Sequence, residues 1–395
     1  MASDSVGVYV HVPFCERVCP YCDFAVVAAR PLEPSVEARY VEALVRELAL
    51  RAGPFDGLAL ASVYLGGGTP SLLSVASVER IVGAVRERFA ARVGAAPEIT
   101  LEVNPSTLER ARLGGFRAAG VNRLSIGVQS FDDAMLKRLG RAHRARDAHA
   151  TLSAARAAGF ENVSLDLIVG GPGATRAQLD RDLDAVAAFA PEHVSTYELT
   201  VEEGTPFALA ERRGQLARPD ERAVVAALAR VDARLAAAGL ERYEVSSHAR
   251  PGFESAHNRR YWRRAPVLGL GVGAWSTLPP TAAHPHGGRA ANARSLGAHL
   301  DRVEGARAAA GSIADAEWHD AATARGEAVF LALREPRGLG AAGFAREFGA
   351  PPRAFFAREI DELVGLGLLD EDAAGDLRLS ARGRWLADSV AERFV

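Results

Sequence analysis

Cys15, Cys19 and Cys22 are the only cysteines of the chain, and all three fall in one short segment, CERVCPYC. Thiolates ligate iron-sulfur clusters, and three of them in a single turn can wrap one face of a cubane, leaving one iron without a protein ligand. Two other readings compete. Three buried free thiols would make the clustering accidental, in a chain that has no cysteine anywhere else. A zinc ion with His11 as fourth ligand also suits these donor types. An odd cysteine count this tightly grouped argues against a disulfide framework and for a reducing compartment.

Further along, Gly66-Gly67-Gly68-Thr69-Pro70 follows an apolar run. A backbone without Cβ atoms lets the polar end of a ligand approach the chain closely, although the same string also makes a plain tight turn between strand and helix. His257-Asn258-Arg259-Arg260-Tyr261-Trp262 groups an imidazole, a phenol and an indole. Such a group can form a hydrogen-bonded aromatic corner.

The elements that must position these residues are legible from periodicity. Six short Val/Ile/Leu-rich runs predict strands at Val6 to Val12, Ser62 to Leu65, Ile99 to Val103, Leu124 to Val128, Val163 to Val169 and Val194 to Leu199. Between them, apolar residues at three- and four-residue intervals predict helices that include Val36 to Arg51, Val75 to Ala90, Ala145 to Ala158 and Arg176 to Ala188. Six βα units make an α/β fold, a partial TIM-like barrel. Cys15, Gly67, Asn104, Gln129 and Gly170 then fall at or just past strand C-termini, the face that carries the active site in parallel barrels.

A long helix after Glu221, a strand at Tyr243 to Ser246 and an irregular stretch containing His257 to Trp262 and a glycine run, Gly269 to Gly273, are expected to close over the barrel mouth. A Pro/Gly/His-rich loop, Pro279 to Gly288, and a polar helix from Ser295 lead to a boundary at about residue 310. Residues 311–395 read as three helices (Gly326 to Leu333, Ala341 to Phe348, Arg353 to Gly365), a hairpin from Leu368 to Leu379 and a final helix. That order is winged-helix-like.

The C-x3-C-x2-C segment after a first strand resembles the radical SAM superfamily. YVHVPFC, LGGGTPS, LEVNPST, RLSIGVQSFDDAMLKRLGRAH, LDLIVGGPG and LSARGRWLADSVAERF resemble the anaerobic coproporphyrinogen III oxidase-like family in particular, over nearly the whole chain. The resemblance implies a radical SAM type barrel and a 4Fe-4S cluster whose open iron is chelated by S-adenosyl-L-methionine, the cofactor carrying the radical chemistry. It further implies that Tyr9, Gly67 and Glu102 contact that S-adenosylmethionine, with Tyr21 near the cluster and Thr200 near the adenine. Gly68, Thr69, Gln129, Arg141 and Asp166 match positions that hold a second S-adenosylmethionine in the oxidase. Each has a plainer alternative: Glu102 capping a helix with Asn104, Arg141 in a surface ion pair, Asp166 satisfying backbone at a strand end.

Two departures separate the chain from the oxidase. Phe24 stands where the oxidase has a fourth cysteine, and few residues precede the first strand where the oxidase has an N-terminal extension. HNRRYW resembles instead the HNxxYW motif of the HemW-like heme chaperone branch, making His257 and Tyr261 heme-binding candidates. The resemblance therefore implies heme as cargo and a heme-acceptor protein, such as a membrane respiratory enzyme, as partner. An oxygen-independent coproporphyrinogen III oxidase and a radical SAM methyltransferase stay open beside it.

Composition narrows the partners. Lys+Arg 47 against Asp+Glu 49 gives a net charge of -2, no footprint for nucleic acid or an anionic membrane. Across residues 340–395 seven Arg face ten acids, which opposes DNA docking by the winged-helix-like unit. The start, MASDSVGV, has no secretory leader and no apolar run is long enough to span a bilayer, so a cytoplasmic protein is expected.

Overall fold

The computed structural model describes residues 4–92 and 94–395; Met1 to Ser3, the first residues of the expected leaderless start, lie outside them. The six expected strands form as β1 (Ser5–Val12), β2 (Ala59–Gly67), β3 (Glu98–Val103), β4 (Arg123–Gln129), β5 (Val163–Val169) and β6 (His193–Glu198). Each pairs in parallel with the next. Val6, Val8, Val10 and Val12 of β1 are all buried, as a strand covered by helices requires.

The crossovers contain α1 (Pro34–Arg51), α2 (Val75–Arg88), α3 (Thr107–Ala118), α4 (Ala145–Ala157) and α5 (Arg176–Phe189), and α6 (Glu221–Ala237) follows β6. Four of these starts are fixed by side chains. Ser74, Ser106, Thr175 and Asp220 each accept a backbone N–H three residues on, a cap worth about 1 kcal/mol.

The sheet extends past the six units at both ends. With β7 (Glu241–Arg242), β8 (Ser247–Ala249), β9 (Val267–Leu270), β10 (Trp275–Leu278), β11 (Gly288–Ala291) and β12 (Asp315–Trp318), it runs β12-β11-β10-β9-β1-β2-β3-β4-β5-β6-β8-β7. Two expectations are corrected here. The strand expected at Tyr243 to Ser246 is the turn between β7 and β8, because Glu244 accepts from the Ser246 amide at 3.0 Å and holds the backbone out of a ladder. The glycine run is not wholly irregular: its first half is β9, parallel to β1, and its end reaches the cysteine loop, where a Cβ at Gly273 would meet that of Ala25 at 2.9 Å. A Cβ at Gly269 would lie 2.2 Å from the Trp275 carbonyl oxygen, so only glycine admits this approach.

The HNRRYW helix (Asn258–Trp262) is at the opposite end from the mouth. Glu98, first residue of β3, accepts from the amides of Ala256 and His257, and Arg260 reaches the carbonyl oxygens of Ser5 and Pro266. The helix thus closes the floor under the strand N-termini.

One apolar core fills the barrel and its helices; a second, from Ala328 to Phe394, is built by the C-terminal unit. That unit has helices at Ala321–Ala332, Ala341–Phe348 and Arg353–Gly365 and a hairpin of Leu369–Glu371 with Leu377–Leu379, the winged-helix-like order. Ion pairs from the floor tie it down, Arg259 and Arg263 to Glu335 and Arg264 to Glu327 and Glu347.

Candidate functional site

The cysteine loop is an excursion between two points of contact. Phe14–Cys15 pairs in parallel with Val27–Ala28, and within the loop the Cys22 amide donates to the Cys19 carbonyl at 3.1 Å. The glycine loop at the end of β2 is laced directly onto it. The Gly68 amide donates to the Val12 carbonyl and the Thr69 amide to the Phe14 carbonyl, both at 2.8 Å. Glycine is needed at 68 because a Cβ there would lie 2.7 Å from the Phe14 oxygen and 3.0 Å from Cys15 Sγ. At 67, φ is +108° and a Cβ would meet the His11 ring at 2.6 Å.

Two thiols are joined through a polar bridge. Thr69 Oγ1 donates to Cys15 Sγ at 3.8 Å and accepts from Asn104 Nδ2 at 2.7 Å. Asn104 Oδ1 accepts from Arg141, whose guanidinium also donates to Cys19 Sγ at 3.4 Å and to the Gly127 carbonyl at 3.1 Å. Burial pushes the Cys15 thiol up to about 11, and raises Cys22 as well. Thiolates in such a place need cationic partners, which the irons of a cluster would supply. Zinc fits less well: His11 Nδ1 is engaged with the Tyr9 hydroxyl at 3.1 Å and Nε2 with the Ala25 carbonyl at 3.0 Å, so neither nitrogen is open to a metal.

Below the thiols lie two carboxylates. Glu102 accepts from the Tyr64 hydroxyl at 2.9 Å and from the Gly67 amide at 3.0 Å; Asp166 accepts from Ser125 Oγ at 3.2 Å. Burial raises Glu102 to about 7, with nearby Asp166 adding to it, and burial lifts Asp166 to about 6. The plainer roles are not what these groups do. Glu102 caps no helix, Arg141 bridges to a thiol, and Asp166 meets serine hydroxyls. Two acceptor-only groups in a buried cleft suit a ligand carrying positive charge.

One cleft of about 330 Å³ brings together Cys15, Cys19, Cys22, Tyr21, Gly67, Gly68, Thr69, Glu102, Gln129, Arg141, Asp166 and Thr200. That lies within the roughly 300–1,000 Å³ of ordinary small-molecule sites. Gln129 takes a left-handed φ of +64° where β4 bulges against β5. Tyr9 stands behind the lining, its ring beside Tyr64 and His257. Phe24 is 62% exposed at the rim. Tyr64 and Ser125 were missed by sequence reasoning. Strand alternation was the available signal, since Tyr64 shares a face with Gly66, and Ser125 with Gly127.

His257 and Tyr261 are not in this cleft. His257 is 1% exposed; its Nδ1 is engaged with Ser62 Oγ at 2.9 Å and its Nε2 with the Tyr261 hydroxyl at 3.1 Å. Burial and the cation of Arg260 hold its pKa down at about 3. Iron ligation by this imidazole would require breaking one of those bonds, and the geometry is that of the aromatic corner.

Comparison with known proteins agrees with this geometry. Residues 9–186 match the radical SAM superfamily and residues 320–386 the HemN C-terminal domain. Heme chaperone HemW of Mycobacterium tuberculosis (strain ATCC 25618 / H37Rv) is 37% identical over 396 residues, covering 100% of this chain and 96% of the relative. Heme chaperone HemW of Bacillus subtilis (strain 168) is 30% identical, covering 98% of each. Among solved structures, coproporphyrinogen III oxidase from Escherichia coli, described as a radical SAM enzyme, superposes with a TM-score of 0.83 at 26% identity, over 99% of this chain and 90% of the other.

Proposed function

This chain belongs to the HemW-like branch of the radical SAM superfamily, and from that membership we propose that it is a heme chaperone that binds a 4Fe-4S cluster, S-adenosyl-L-methionine and heme, and passes the heme to an acceptor protein. The observation that carries the reading is the lacing of the glycine loop onto the cysteine loop, which sets three thiols and a buried carboxylate around one cleft.

In this reading Cys15, Cys19 and Cys22 hold the cluster. Gly67 and Glu102 receive the ammonium end of S-adenosylmethionine, with Tyr9 and Tyr21 behind and beside them and Thr200 at the adenine. Thr69 and Arg141 orient two of the thiols, and Gly68 makes room for the first. Gln129 and Asp166 complete the wall, and the stoichiometry of S-adenosylmethionine binding tests them as the seat of a second molecule. When bound, the cluster and S-adenosylmethionine supply one-electron chemistry. No helix of the described residues is long and apolar enough to cross a membrane; we place the protein in the cytoplasm, meeting acceptors from that side.

Likeness to the oxidase structure favours a second reading, oxygen-independent coproporphyrinogen III oxidation. Phe24 in place of a fourth cysteine weighs against it. An anaerobic assay of the reconstituted protein with coproporphyrinogen III, dithionite and S-adenosylmethionine, beside a hemin titration, separates the two. The chaperone is expected to bind hemin saturably, yield it to acceptor membranes and form no protoporphyrinogen. Protoporphyrinogen formation would establish the oxidase instead.

A further inference from the structure

If heme is the cargo, the structure must offer it a site, and the floor imidazole is engaged. A second pocket, of about 660 Å³, lies at the seam between the sheet and the C-terminal unit. Heme asks three things of a site: apolar walls for the macrocycle, cations for two propionates and an axial donor for iron. Pro54, Leu58, Pro266 and Leu278 wall the pocket from the barrel side, and the Pro279 to Gly288 loop adds three more prolines and His286.

His286 differs from His257, His193 and His11 of the barrel. It is half-buried, its ring lies against Phe348 at 5.8 Å and 27°, and no hydrogen bond engages it among the described residues. His257, His193 and His11 each have both ring nitrogens engaged. Across the pocket Arg346 is exposed, with no ion-pair partner among the described residues, and Arg263 is half-exposed beside Glu335. The acids at the pocket are already matched, Glu327 and Glu347 by Arg264 and Arg289 and the exposed Asp56 by Arg88.

The HNRRYW helix leads straight into this wall. Arg264 follows it with φ at +50°, and its guanidinium lies over the Phe348 ring at 5.8 Å while pairing with Glu327 and Glu347. The motif therefore shapes the seam without touching a ligand.

We propose that heme is carried in the seam pocket between the sheet and the C-terminal unit, with the His286 imidazole on the iron and Arg346 facing a propionate. This rests on the reading of the protein as a heme carrier.

The test is a hemin titration of the full chain at matched iron-sulfur content, followed by difference absorption and by EPR of the ferric heme. His286→Ala is expected to weaken hemin binding at least tenfold and to change the axial-ligand signature. Arg346→Glu is expected to weaken binding several-fold with that signature retained, and His149→Ala, on an exposed helix face, to leave both unchanged. Wild-type affinity and spectrum in His286→Ala would overturn the site while the carrier reading stood. Absence of saturable binding by the wild type would overturn the carrier reading, and the site with it.

Discussion

At the floor of the barrel, His257 gives one ring nitrogen to Ser62 and the other to Tyr261, and Glu98 takes the two amides that start the helix. At the mouth, Cys15 and Cys19 receive a single donor each, and Glu102 and Asp166 are held above their usual range with no cation paired directly to either. The two ends hold equally reactive types of side chain. They differ in charge balance: the mouth buries two carboxyl groups with no paired cation, and such groups are where a ligand is wanted.

The comparison can be broken most decisively at the mouth. Cys15→Ala is expected to reduce iron and sulfide content after reconstitution to background, with the fold intact by circular dichroism. A normal iron content would remove the cluster from the cleft. At the floor, His257→Ala strips Ser62 and Tyr261 of their shared partner, and a loss of about 2 kcal/mol is expected in denaturant unfolding. Iron content should be unchanged in the folded fraction. Loss of iron instead would make the floor part of the site.

A subtler difference is the sign of pH dependence. Glu102 is raised from 4.5 to about 7, so the ligand-free protein holds this contribution below pH 4.5 and loses it as pH rises toward 7. His257 is lowered from 6.5 to about 3, so its contribution is present above pH 6.5 and lost as pH falls toward 3. Glu102→Gln is therefore expected to stabilise the ligand-free protein by about 1–2 kcal/mol at pH 8 and by nothing measurable near pH 4.5, while weakening S-adenosylmethionine binding. A pH-independent effect would mean that burial of the charge is not the cause. Smallest of all, Phe24→Cys alters an exposed rim position and is expected to shift stability by less than about 0.5 kcal/mol. It should yield no decarboxylation in the anaerobic assay. If it does, that one residue divides chaperone from oxidase.

Much of the mouth was legible beforehand. The valine runs marked the six strands, and the cysteines and glycines were placed by falling just past strand ends. The floor was not legible, because HNRRYW has the same composition whether its imidazole is free or enclosed. Only the long-range contacts to Ser62 and Glu98 decide that. The sheet's outer strands escaped notice for a local reason. Strands of two to four residues, such as β7 and β8, have too little alternation to read, and the Glu244 turn sits where an apolar-looking Tyr-Glu-Val suggested a strand.

The contact between position 67 and the His11 ring has a consequence for descent. Any side chain at 67 would occupy the space of an imidazole held from both sides by Tyr9 and Ala25. A lineage that shrinks residue 11 forfeits the brace between Tyr9 and the cysteine loop and still gains no freedom at 67, because the left-handed φ of +108° strains every side chain there. A randomised library at 11 and 67 should therefore return glycine at 67 whatever stands at 11.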